Sequence, residues 1–345
     1  MPNPTPIQNR PVRVGIVGLG VMGQTHLKAH RAAAAAGLPV EVVALADPLA
    51  DRRAGKAKAG GNLDAHATIH EQAAAVREYD SFGALLDDDA VDLIDICTKT
   101  DLHVPMATAA LKAGRHVLVE KPVALTAGPV RELAALANEV GRVAMPAFCM
   151  RFWPGWTHLL DAVESGEHGR LLSARFARLG SQPTWSDFYR DESISGLALI
   201  DLHVHDTDFI CRLLGPPASV ASTGNAMHVS TSYGYDGVPH VVAEGAWDQA
   251  AGTPFSMHYR ANFESATLDF DLSRGEGALL LCRGGEATPV DLGPLTGYDG
   301  EVRHLTECLA TGRTPSLNLA DAAATHAVVD AERESLRRGG EKVTI

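Results

Sequence analysis

Glu120-Lys121-Pro122 and, further along, Asp201-Leu-His-Val-His205 supply the three side-chain types that proton transfer on an alcohol needs. An ammonium can stabilise the charge that develops on an alkoxide oxygen. An imidazole, with an unperturbed pKa near ~6.5, can accept the hydroxyl proton around neutrality. A neighbouring carboxylate can orient that ring and stabilise the imidazolium it becomes. If residues 196–214 form one helix, Asp201, His205, Asp208 and Arg212 make a single polar stripe, and Leu197, Ile200, Val204 and Leu213 can face the core. Asp201 and His205 then project together. Alone, such a pair reads as an ordinary surface contact, and the rest of the chain changes that weighting.

A glycine turn lies upstream. The run VRVGIV (residues 12–17) stops at Gly18-Leu-Gly20-Val-Met-Gly23, an alanine-rich helical pattern follows to about residue 36, and the strand VEVVALAD occupies residues 40–47. Strand, glycine turn, helix, strand is the dinucleotide-binding βαβ unit. The first glycine permits the tight turn, the second lets a pyrophosphate approach the backbone, and the third lets helix and strand pack closely. Val21 and Met22 complete the turn, and the helix N-terminus behind them presents N–H groups to phosphate. Asp47, at the end of the second strand, is suited to accept hydrogen bonds from the adenosine ribose and to repel a 2′-phosphate, which favours NAD over NADP. Arg52 and Arg53 keep NADP possible, although exposed positions on a polar helix are their plainer reading.

The elements that position these groups alternate. Apolar runs at residues 90–98, 116–122 and 143–148 are separated by helical patterns at residues 104–113 and 130–140, and residues 57–64 suggest a loop or extra helix. This predicts an α/β N-terminal domain with a doubly wound parallel sheet over residues 1–148. Beyond it, period-two segments at residues 171–180, 219–223, 240–246, 255–263 and 267–272 predict an α+β domain over residues 149–345 with a large, open, mostly antiparallel sheet. A helical pattern over residues 319–338, expected to pack back on the first domain, precedes the short strand KVTI.

A chain of 345 residues with a net charge of -12 is sized for two domains and unsuited to nucleic acid or anionic membranes. Cys97, Cys149, Cys211, Cys282 and Cys308 form no C-x-x-C pair, so neither a zinc knuckle nor a disulfide framework is expected. The N-terminus lacks an apolar signal core, and no apolar run suffices to cross a bilayer, which points to the cytoplasm.

The segments GIVGLGVMGQTHLKAH (residues 15–30), ICTKTDLHVPMATAALKAGRHVLVEKP (96–122), Arg151-Phe-Trp153, SGLALIDLHVHDTDF (195–209) and Glu334-Ser335-Leu336 resemble the Gfo/Idh/MocA family of NAD(P)-dependent oxidoreductases over nearly the whole length. The resemblance implies a Rossmann domain plus a domain whose sheet mediates dimers or tetramers. It also implies Lys121, Asp201 and His205 as the catalytic set. Thr98, Thr100 and His103 would then lie toward the nicotinamide, and Glu120 would position the cofactor or Lys121. Arg151, Trp153, Trp156 and Trp185, with Asp187 and Tyr189, are candidate contacts to a polyhydroxylated substrate. His203 departs from the family pattern. Residues two apart on a helix point about 200° apart, so His203 and His205 do not readily chelate one metal, and His203 is expected either to cap a neighbouring pocket or to be a satisfied buried histidine.

Three functions compete. The first is reversible oxidation of a secondary alcohol on a sugar, sugar derivative or cyclitol. The second is a redox-neutral oxidoreductive glycosidase that retains NAD. The third is a non-catalytic, cofactor-binding regulator, against which the joint retention of Lys121, Asp201 and His205 argues.

Overall fold

Five apolar runs in the first part of the chain, with the short polar strand Arg77–Tyr79 at one edge, pair into one parallel sheet. The structure is a computed structural model and describes residues 5–55 and 76–345. Strands β1 (Val12–Val17), β2 (Val40–Ala46), β3 (Arg77–Tyr79), β4 (Leu93–Ile96), β5 (His116–Glu120) and β6 (Ala144–Ala147) lie in the order β3-β2-β1-β4-β5-β6. Every pairing is parallel. β4 and β5 are buried along their whole length, which is why they read as continuous apolar runs rather than alternating ones. The strand order reverses between β1 and β4, and ligands of such sheets bind beyond the carboxyl ends at that point. The loop or extra helix expected at residues 57–64 lies outside the described residues.

Contacts divide the chain into two units, Met1–Cys149 with Tyr298–Ala323, and Met150–Gly297 with Ala324–Ile345. The sequence division at residue 148 does not include the return of Tyr298–Ala323 to the first unit. The helix Gly297–Thr311 carries Val302, Leu305 and Leu309 as buried residues, and the Ile7 N–H donates to the Leu309 carbonyl at 2.9 Å.

The second unit is built on a nine-stranded sheet. Its strands are β7 (Leu171–Ser181), β8 (Ser219–Asn225), β9 (His228–Gly234), β10 (His240–Gln249), β11 (Ser256–Phe263), β12 (Thr267–Asp271), β13 (Leu279–Arg283), β14 (Glu286–Pro289) and β15 (Val343–Thr344), ordered β14-β13-β12-β11-β7-β10-β9-β8-β15. Among the described residues of this sheet, only β7 and β10 pair in parallel. In β11, buried Met257, Tyr259, Ala261 and Phe263 alternate with less buried Ser256, His258, Arg260 and Asn262, the period of a strand with one covered face. β9 was missed because HVSTSYG carries polar residues on its outer face, although Val229, Thr231 and Tyr233 point inward and are buried.

Residues 196–214 are not one helix. Leu197 takes a left-handed backbone, φ 55°, Ala198–Leu202 form a π-helical turn, and a regular α-helix runs only over Val204–Leu214. The His203 N–H donates to the Ala198 carbonyl at 2.8 Å, five residues back. A wide turn of this kind slips the phase of any stripe drawn at 100° per residue, and such turns recur at functional sites.

Candidate active site

The glycine turn follows β1. Gly18 has φ 86°, and a Cβ there would stand 2.5 Å from the Cys97 carbonyl oxygen, so both backbone and space demand glycine. A Cβ on Gly23 would sit 1.8 Å from the Gly18 carbonyl oxygen, which enforces close approach of helix Val21–Ala35 to the strand. Gly20 differs: a Cβ there would meet no protein atom within 4 Å. The protein itself does not require glycine at that point, but a pyrophosphate laid against the backbone does. Among the described residues no side chain caps this helix at Gly20, and its first turn holds no acidic residue, so its N–H groups and partial positive charge suit an anion. Val21 and Met22 are half-buried at its opening. These residues fit a dinucleotide.

Asp47 is buried and braces the turn. Its Oδ2 accepts the Leu19 N–H at 2.8 Å and its Oδ1 accepts the Leu49 N–H at 2.8 Å. Each carboxylate oxygen retains a further lone pair for a ribose hydroxyl. Arg52 lies 3.5 Å from the same carboxylate, and Arg53 donates to the Asp47 carbonyl at 2.6 Å. Asp47→Ala removes a bond to the turn as well as an acceptor. It is expected to weaken NAD binding by about 10–100-fold, measured by quenching of intrinsic fluorescence.

The E-K-P turn stands beside this cradle by register. Val17 pairs with Ile96, and Ile96 pairs with Val119. The next residues along each strand are Gly18, Cys97 and Glu120. With neighbouring strands about 4.8 Å apart, the glycine and E-K-P turns are on the order of 10 Å apart. The Lys121–Pro122 peptide is cis. Glu120 is buried, and its Oε2 accepts the Lys121 N–H at 2.9 Å. His103 sets Nδ1 2.8 Å from the Pro122 carbonyl oxygen and Nε2 3.2 Å from that of Thr98. Burial lowers the pKa of its imidazole. The neutral ring carries one N–H, so His103 donates to one of these two carbonyls and packs against the other. Thr98 is half-buried, and Thr100 is buried at the start of helix Thr100–Lys112.

In the second unit, Asp201 is buried on the π turn and half-buried His205 lies in the first turn of helix Val204–Leu214. Other members of the expected stripe are engaged elsewhere. The Asp208 carboxylate receives Arg151 Nε at 2.8 Å and Nη2 at 2.7 Å, and the Thr325 hydroxyl at 2.9 Å. The Arg151 guanidinium, expected to face substrate, is thus held in a bidentate ion pair. Arg212 is 2.9 Å from Glu164 at the surface.

Trp156 is corrected outright. It is fully buried and packs against Phe270, Tyr259 and Phe209 with ring centroids 4.6, 5.2 and 6.4 Å away. An indole enclosed on this scale is core, not a platform for a sugar ring. Trp153 is half-buried at the start of helix Pro154–Ser165. Trp185, 38% exposed, meets the Tyr189 ring at 5.5 Å, and Asp187 is exposed beside it.

His203 is buried, as expected from sequence, but satisfied on one side only, because its Nδ1 has no hydrogen-bond partner among the described residues. Its Nε2 lies 3.3 Å from the Thr231 hydroxyl, 3.2 Å from that of Tyr233 and 3.6 Å from Glu332 Oε2. Burial pushes His203 down to about 4 and Glu332 up to about 8. The 3.6 Å contact therefore joins two neutral groups near neutrality, despite its ion-pair distance. Glu332 keeps its proton in the fold while the unfolded chain releases it above 4.5, so stability falls as pH rises from about 4.5 to 8. Glu332→Gln, which preserves the acceptor for the Thr207 hydroxyl at 3.0 Å, is expected to match wild type in urea denaturation near pH 4.5 and exceed it at pH 8.

Sequence reasoning missed His26, Asp95 and Glu301, which are fully buried around Glu120. A signal existed, because a carboxylate inside the apolar strand LIDI demands a partner.

Residues 12–148 match the family model of an oxidoreductase family with an NAD-binding Rossmann fold, and residues 156–266 match a GFO/IDH/MocA C-terminal domain. The 1,5-anhydro-D-fructose reductase of Ensifer adhaerens is 28% identical over 263 residues, 76% of this chain and 74% of its own. The inositol 2-dehydrogenase of Salmonella typhimurium is 31% identical over 162 residues, 47% of this chain and 44% of its own, so the match spans less than half of that relative. A levoglucosan dehydrogenase solved with NADH and levoglucosan has a TM-score of 0.82 at 21% identity, covering 97% of this chain and 100% of that one. At that identity the likeness speaks for the fold.

Proposed function

Because the chain belongs to the Gfo/Idh/MocA oxidoreductase family, whose NAD-binding Rossmann fold its first unit matches, we propose that it moves a hydride between a secondary alcohol of a sugar, sugar derivative or cyclitol and the nicotinamide of NAD. The observation that carries this reading is the alignment of the Gly18–Gly23 cradle with the E-K-P turn at the carboxyl ends of β1, β4 and β5. Bound there, NAD supplies the two-electron acceptor. Gly18, Gly20, Val21, Met22 and Gly23 would receive its pyrophosphate, Asp47 its ribose, and Thr98 and Thr100 would lie toward its nicotinamide. Lys121 donates a hydrogen bond to the substrate oxygen and stabilises negative charge as the C–H bond breaks. His205 accepts the hydroxyl proton, and Asp201 orients the imidazole and stabilises its charged form. Trp153 and Trp185 offer aromatic faces to the polyol. Two relatives are named for acting on anhydrofructose and inositol, which supports a sugar or cyclitol substrate. A homodimer or homotetramer through the nine-stranded sheet and a cytoplasmic setting complete the proposal.

A panel of hexoses, inositols, anhydrosugars and glycosides, assayed by NADH absorbance, tests it. Substrate-dependent NADH formation that is lost in His205→Asn is expected. Failure of every polyol class to reduce NAD would overturn the reading.

A further inference from the structure

Asp95 places a carboxylate with no exposure inside β4, among apolar side chains. Burying that charge is costly unless it is paired. His26, from the helix that opens at the glycine turn, sets Nδ1 3.0 Å from both Asp95 oxygens. His30 Nε2 lies 3.0 Å from Asp95 Oδ2, and the Cys97 thiol donates to Oδ1 at 3.4 Å. Across the ring, His26 Nε2 stands 3.0 Å from Glu120 Oε1 and 3.4 Å from Glu301 Oε1. The other oxygen of Glu120 accepts the Lys121 N–H at 2.9 Å. At 3.0 Å from Glu120, His26 Nε2 makes no aligned hydrogen bond to it, so its hold on Glu120 is one of proximity and charge. A buried line of close contacts runs Asp95, His26, Glu120, Lys121, entirely within the first unit.

The charges fit this geometry. Burial is the strongest influence on His26 and works against its charge, but Asp95 and Cys97 together outweigh it and hold the imidazolium well above its ordinary range. Burial drives Glu301 well up, so it keeps its proton, and raises the Cys97 thiol and the Tyr298 phenol likewise. A buried set of this kind is a poor source of stability, since apolar residues of similar volume often do as well or better. What it supplies is a buried cation set 3.0 Å from one carboxylate oxygen of Glu120.

We propose that His26 is a positioning residue: anchored by Asp95, it fixes Glu120 and thereby the backbone from which the Lys121 ammonium is aimed. This rests on the role given to Lys121 above. Small displacements of a reacting group are costly, about 100-fold for about 1 Å. His26→Gln, which cannot bridge two carboxylates as a cation, is expected to lower kcat by about 10–100-fold, with the polyol KM changed less than about threefold. His26→Gln combined with Glu120→Gln is expected to lose no more than the worse single variant, because both break one line. A purely structural His26 would lower thermal stability and leave kcat per folded molecule unchanged, and that result overturns the proposal.

A second measurement needs neither activity nor a variant that folds. In cofactor-free wild type carrying 15N-labelled histidine, His26 is expected to be doubly protonated at pH 8. A ring lacking the Nε2 proton would face Glu120 lone pair to lone pair and would overturn the clamp. The two readings fail separately. Full activity in Lys121→Ala sinks the catalytic assignment while the nitrogen spectrum still decides the clamp. An inactive Lys121→Ala beside a His26→Gln with undiminished kcat sinks the positioning role alone.

Discussion

Lys121→Ala is expected to lower kcat by about 10²–10³-fold, roughly 3–4 kcal/mol of transition-state stabilisation, with NAD affinity nearly unchanged. The magnitude follows from the role proposed for Lys121, one donor to the oxygen on which charge develops. The selectivity follows from the fold. The N–H of residue 121 stays bonded to Glu120, and Gly18, Gly23 and Asp47 are untouched. Substrate KM should rise less than kcat falls, because the bond strengthens as the alkoxide forms. Stopped-flow measurement of NADH appearance, beside NAD titration of the same preparation, separates the two effects.

The largest stability effect is expected from Asp208→Ala. Its carboxylate has no exposure and receives two Arg151 nitrogens at 2.8 and 2.7 Å together with the Thr325 hydroxyl at 2.9 Å. Removing it strips the bidentate partner from a guanidinium whose side chain is only 8% exposed. Breaking a buried pair from one side costs about 3–5 kcal/mol, more than the pair itself contributes. The urea midpoint should fall accordingly, and Arg151→Met with Asp208→Leu should recover much of it. A loss no larger in Asp208→Ala than in the exposed Glu164→Ala, which removes the Arg212 partner, would show the pair to be dispensable.

The Rossmann unit was legible from the residues because its signals are local. β-branched runs, one glycine turn and an acid at the end of β2 each imply a backbone state or a ligand contact without reference to distant residues. The antiparallel unit was legible wherever one face is apolar, as in β11, and illegible in β9, whose serines and threonines hide the alternation. The helix around Asp201 was drawn with the wrong phase. Nothing in ALIDLHVH announces a π turn, which depends on the Ala198 carbonyl finding the His203 N–H five residues on.

Side-chain assignments failed where composition stood in for partners. Trp156 and Arg151 are residue types that bind sugars, but Phe270 and Asp208 had already engaged them. Conversely, Asp95 in an apolar strand was a visible anomaly, and its partner His26 lies three residues beyond Gly23, at helical spacing from it. The line that reaches Lys121 was therefore half-written in the chain. Glu301, far away in sequence, could come only from the fold.

The central claim is that Lys121 and His205 serve one proton and one oxygen, and a double-mutant cycle on kcat/KM for the best polyol tests it most directly. Groups acting as a unit lose little more together than the worse variant loses alone. Lys121→Ala combined with His205→Asn should therefore lie close to the weaker of the two single variants. Losses that multiply, as they do for independent sites, would contradict the account.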